Sequence, residues 1–224
     1  MLDGTRRFAL LRGGLAALPA VALLASIGST ATGQPAAPAP FPALPISVTT
    51  ALEGGEPVVD DAWIAGQVEN ANTIFSPHGV TFRVVERHTM PEAHARLENR
   101  RDRHALGHLQ HPQRIDVFLV RSLRDVDEPE RMRQGVHWRP RGDAFDARAH
   151  LVIVSSIAGP TVLAHELGHY FGNGHSDVPG NIMSYERGDV PPFFDATQVA
   201  RIRFSLRRFL QREELVAADA VATP

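Results

Sequence analysis

Hydrophobic and polar positions change period several times along the chain, and each change marks an element. Ile46-Ser47-Val48-Thr49-Thr50 alternates and runs into the turn pair Gly54-Gly55, which predicts a first strand. From Ala62 to Phe75 the residues Trp63, Ile64, Val68, Ala71, Ile74 and Phe75 recur at helical spacing. Pro77 and Gly79 end that run, so a long amphipathic helix is expected there. Val80 to Val85 returns to strand character. Ile115 to Val120 and Leu151 to Val154 are short apolar runs rich in β-branched residues, the pattern of buried strands, and the second is expected to be central. Between them Gly135 to Arg139 is short and closed by Pro140, which suits an edge strand. Glu92 to Arg114 is rich in Arg and His without a clear period and reads as a polar surface loop. One helix is expected from Pro160 or Thr161. Another, capped by Asp195 or Thr197, should run through Gln198, Val199, Ile202, Leu206, Phe209 and Leu210.

The two ends differ from this middle. Arg6 and Arg7, the apolar stretch from Leu15 to Ile27 and the small residues Ser29 and Ala31 have the order of a signal peptide. Thr5-Arg6-Arg7-Phe8-Ala9-Leu10 resembles a twin-arginine export signal with Ala9 at the usual Phe position, so twin-arginine and Sec export both stand as alternatives. The stretch falls short of the about 20 apolar residues a membrane span needs. An uncleaved anchor is the competing reading. The expected organisation is a signal peptide over 1–31, a Pro/Ala-rich linker over 32–45, a folded domain over 46–215 and a flexible tail over 216–224. Export to the periplasm or the outside is the implied location.

Composition narrows the partners. A chain of 224 residues with 43% hydrophobic content can bury one core, or one core divided by a cleft. The formal charge of −2 supplies no global field for nucleic acid or an acidic membrane, and neither is expected as a partner. All 23 basic residues are Arg. The absence of cysteine excludes disulfides, thiolate metal ligands and a cysteine nucleophile.

The candidate chemistry lies in Val162-Leu163-Ala164-His165-Glu166-Leu167-Gly168-His169-Tyr170-Phe171-Gly172-Asn173-Gly174-His175, which reads HExxHxxGxxH. Residues four apart share a helix face, so His165 and His169 can aim at one point from adjacent turns. Gly172 can take the positive φ that ends a helix and lets the chain return His175 as a third nitrogen. Three protein ligands leave one position of a zinc ion open, the mark of a catalytic site. Glu166 is then the candidate general base toward a water at that position.

On these residues the sequence resembles the metzincin clan of zinc metalloproteases. Asn181-Ile182-Met183-Ser184-Tyr185 looks like the clan's methionine turn. Ser176 and the spacing to Met183 resemble the matrixins, whereas Tyr185 resembles the astacins and serralysins. The resemblance implies an α+β fold with a twisted mixed sheet, an active-site helix and a small irregular C-terminal subdomain starting after Gly172. It implies a zinc-dependent endopeptidase with ligands His165, His169 and His175 and with Glu166 as base. Met183 would be a packing element, and Tyr185 either a residue that approaches the metal or donates to the oxyanion, or one packed under the site. Val136 to Arg139 would be the edge against which an extended polypeptide lies. A monomer with one catalytic Zn2+ is expected. A second, structural ion at His104, His108 and His111 is not expected, because no HxD element accompanies them. His137 reads as a solvated strand residue outside the site. The alternative reading is an exported zinc-binding module without turnover.

Overall fold

The computed structural model describes residues 39–221, so the expected signal peptide, the linker up to 38 and the last three residues lie outside it. A six-stranded mixed sheet organises the chain. Strands β1 (Leu44–Glu53), β3 (Phe82–Met90), β5 (Ile115–Val120) and β8 (Leu151–Ser155) run parallel, with β1 between β3 and β5 and with β5 beside β8. Strand β7 (Gly135–Trp138) pairs antiparallel with β8 and forms an edge. The short β2 (Glu56–Pro57) folds back on the end of β1 through the Gly54-Gly55 turn. A separate two-stranded ladder joins β4 (Arg96–Leu97) to β6 (Ser122–Leu123).

Alternation along the strands divides the core into two layers. Ile46, Val48, Val117, Leu119, Val152 and Val154 pack against helices α1 (Asp61–Phe75) and α3 (Val162–Tyr170). On the opposite face Ala51, Phe118, Val120, Leu151 and Ile153 are covered by Leu97 and Leu106. Both faces are buried, which is why β5 and β8 read as continuous apolar runs. Helix α1 starts at Asp60, whose carboxylate accepts the Trp63 N–H at 2.7 Å. Helix α4 (Ala196–Gln211) starts with a reciprocal capping box between Asp195 and Gln198. The fold is the mixed α+β arrangement that the sequence implied, and among the described residues no helix is long and apolar enough to cross a membrane.

Several expectations need correction. The linker ends earlier than residue 45, because Leu44 and Pro45 already belong to β1 and the Phe41 N–H bonds to the Gly79 carbonyl. The stretch from Glu92 to Arg114 is no plain loop. It contains β4 and helix α2 (Arg100–Ala105), capped by Asn99, and inserts Leu97 and Leu106 into the core. The edge strand ends at Trp138, one residue before Arg139. Residues 216–221 return to the sheet rather than fraying, with Ala218 buried and its N–H donating to the Ala43 carbonyl. His137 is half-buried rather than solvated: its Nε2 lies 3.0 Å from His150 Nδ1 and its ring stands edge-on to Tyr170 of α3.

Candidate active site

Helix α3 runs along the floor of a cleft of about 950 Å³ that is lined on one side by β7 and on the other by the loop carrying Met183 and Tyr185. His165 and His169 project from adjacent turns of α3. Gly172 has φ +92°, a conformation that L side chains rarely adopt, and its backbone ends the helix and redirects the chain to His175. His169 Nε2 lies 3.1 Å from His165 Nε2 and 3.1 Å from His175 Nε2.

The opposite ring nitrogens decide what those contacts are. His165 Nδ1 donates to the Ile182 carbonyl at 2.7 Å, and His169 Nδ1 donates to the Asn173 carbonyl at 2.8 Å. Each ring thus carries its proton on Nδ1 and a lone pair on Nε2. The Tyr185 hydroxyl lies 2.9 Å from His175 Nε2. Lone pairs aimed at one point repel unless a cation lies among them. A tetrahedral zinc ion with nitrogen bonds of about 2.0–2.1 Å sets its ligands about 3.3 Å apart, close to the spacing found here. Burial is the main cause that pushes all three imidazoles below their ordinary pKa, His165 to about 4, so all are neutral at pH 7, as metal ligation requires. The donor set fits zinc. Among the described residues no fourth imidazole or carboxylate joins the group.

Glu166 leaves α3 toward β7 in the same cleft as the three histidines, against Gly135 and the His137 N–H. Burial pushes its carboxyl up to about 8, while the His137 backbone N–H and Arg133 oppose that rise. Tyr185 is 68% exposed on the facing wall, with the Arg133 guanidinium beside its phenol. Met183 is fully buried beneath the histidines. A Cβ placed on Gly168 would stand 2.3 Å from Met183 Sδ, so only glycine lets the helix rest on that sulfur. Gly168 and Gly135, whose Cβ would meet Glu166 at 2.9 Å, are site residues that sequence reasoning missed. A glycine inside a helix costs about 1 kcal/mol against alanine, and that cost was the available signal for Gly168. The other candidate histidines do not gather: His104 faces Trp138, His108 faces Phe145 and His111 bonds Asp116.

No family model matches the chain, and no curated protein matches it. The fold is that of known metalloproteinases, shown by superposition on solved structures. Tannerella forsythia mature mirolysin in complex with a cleaved peptide matches with a TM-score of 0.56 at 13% identity, over 84% of this chain and 100% of that one. Mirolysin in complex with compound 9 gives 0.60 at 12% identity over the same shares. Metalloproteinase-II from Bacteroides fragilis gives 0.51 at 17% identity over 75% of this chain, which spans 54% of that protein. At such identities the likeness is one of fold.

Proposed function

We propose that the chain is an exported zinc-dependent endopeptidase that cuts extended polypeptides. The observation that carries this reading is the convergence of three Nε2 atoms, two of them freed of their proton by backbone carbonyls that hold it on Nδ1, with a buried carboxyl in the same cleft. Bound by His165, His169 and His175, a zinc ion lowers the pKa of a coordinated water to about 7 and polarises a carbonyl.

The chain's own groups do the rest. The outer edge of β7 has no strand partner among the described residues, so its main-chain N–H and C=O groups are available to an extended peptide. The complex of mature mirolysin with a cleaved peptide supports a peptide as the occupant of this kind of cleft. Glu166 takes a proton from the attacking water as its oxygen bonds to the scissile carbon. It then gives that proton to the amine as the C–N bond breaks, so the products are one carboxylic acid and one amine. The phenol of Tyr185 donates to the oxyanion that develops between the two steps.

The test compares the protein with its Glu166→Ala variant on a mixed peptide library, each with zinc and after chelation. Zinc-loaded protein should cut internal bonds and chelated protein should not. Glu166→Ala should keep its zinc and lose about three orders of magnitude in kcat/KM, within the range of general acid–base catalysis. Equal turnover by the two proteins would remove Glu166 from the reaction.

A further inference from the structure

A second cluster lies on the other face of the sheet. In β3 a bulge at Val85 shifts the register, so that Val84 faces Ile46 while Glu86 faces Ser47. That shift moves Glu86 and His88 away from the helix side and onto the face of Ser47, Thr49 and Asp116. Arg87 is left on the helix side, where it pairs with Asp61 of α1. His111, from the segment before β5, lies over the same row, its ring stacked on His88 with centroids 4.6 Å apart.

We propose that Glu86, His88 and His111 form a second divalent-cation site, suited to zinc. One ligating atom from each residue lies within 4.8 Å of the others. Glu86 Oε2 and His88 Nε2 are 2.9 Å apart, near the about 3.3 Å edge of a tetrahedral ion. The other Glu86 oxygen is held by Arg114 at 2.6 Å, which leaves Oε2 as a single-oxygen ligand.

The groups behind these residues point to the same use. Asp116 is 1% exposed on a central strand, and no step at the cleft involves it. Its two oxygens receive the His111 backbone N–H at 3.0 Å and the His111 Nδ1 proton at 2.8 Å. A carboxylate that holds Nδ1–H fixes the tautomer with its lone pair on Nε2, the arrangement found behind metal-bound imidazoles. The charged neighbours of His111 are Asp116, Glu86 and Arg114, so two negative charges face one positive and a dication is favoured. Waters complete the coordination, since the His88 and His111 side chains are 39% and 29% exposed. The site is remote in the sheet from β7, and it stands whether or not the chain cuts peptides.

Zinc content measured by atomic absorption on the full chain, after loading and dialysis, is expected at two ions per chain. His88→Ala should lower it to one and leave peptide cleavage unchanged. His169→Ala should also lower it to one but abolish cleavage, and the double variant should hold none. Asp116→Asn should weaken the second ion about 10- to 100-fold through His111. If that buried substitution prevents folding, His88→Ala and His111→Ala at half-exposed positions still decide the matter. Zinc content that is the same in the unaltered chain and in His88→Ala, whether one ion or two, overturns the proposal.

Discussion

The two walls of the cleft are built by different means. One wall is the sheet with α3 packed on it, where ladder hydrogen bonds and a two-layer apolar core share the load. The other, from Asn173 to Asp195, contains no helix and no strand longer than an isolated bridge, and single side chains hold it. Asn181 is its hub. It exchanges hydrogen bonds with Gln198 at 2.8 and 3.1 Å, and its Oδ1 also accepts the Met183 N–H at 2.9 Å. The Ile182 carbonyl between them orients His165. The difference is one of redundancy, so damage to the sheet should spread over the whole domain, whereas damage to the loop should reach the metal site first.

The largest effect expected concerns Glu166, where the sheet wall carries a carboxyl in an unfavourable place. In the metal-free protein its pKa is pushed from the ordinary 4.5 to about 8 by burial. The folded state therefore keeps a proton that the unfolded state releases, and stability falls as pH rises from 4.5 to about 8, then levels off. At about 1.4 kcal/mol per pKa unit this amounts to several kcal/mol at most. Urea titrations of metal-free Glu166→Gln should show a gain over the unaltered chain that grows across that window. A gain independent of pH would mean that the carboxyl is not the cause.

Next in size is the sheet itself. Ile153 is fully buried in β8, and Ile153→Ala should cost about 2–5 kcal/mol by removing methyl groups and leaving a cavity. Chemical denaturation should record that loss, while zinc affinity of the molecules that remain folded should be unchanged. If the affinity fell together with stability, the sheet and the loop would not be separable in the way described.

The same contrast governs what the sequence disclosed. Strands β1, β5 and β8 and helix α1 are legible because each repeats one period over its whole length, and each buries what that period selects. Helix α2 is hidden because it has only six residues and contributes Arg103 to the interior, where the guanidinium lies 4.9 Å over the Trp138 ring. His137 misled for a related reason: its ring packs against His150 and Tyr170, so a polar residue in an alternating run need not face water. In the site, the shared helix face makes the approach of His165 and His169 readable from spacing alone. The return of His175 rests on the φ of Gly172, which composition permits but does not impose. The Glu86–His88 pair was out of reach, because a bulge at Val85 reverses the face that alternation assigns to everything after it.

The smallest effect on folding, and the sharpest test of the comparison, belongs to Asn181→Ala. The substitution removes three hydrogen bonds and leaves the Gln198 Nε2–H and the Met183 N–H unpartnered in a buried place, for about 2 kcal/mol in total. Gln198 can still cap α4 through Asp195, so the helix should persist by circular dichroism. The turn that carries Ile182, however, loses its inner tie, and with it the carbonyl that keeps the His165 proton on Nδ1. Calorimetric zinc titration should therefore show a drop of about 10- to 100-fold in affinity at the three-histidine site, the size expected when a group orienting a ligand is lost. Ile153→Ala, although more damaging to the fold, should show no such drop, and a reversed ranking of the two variants in zinc affinity would place the weak point in the sheet instead of the loop.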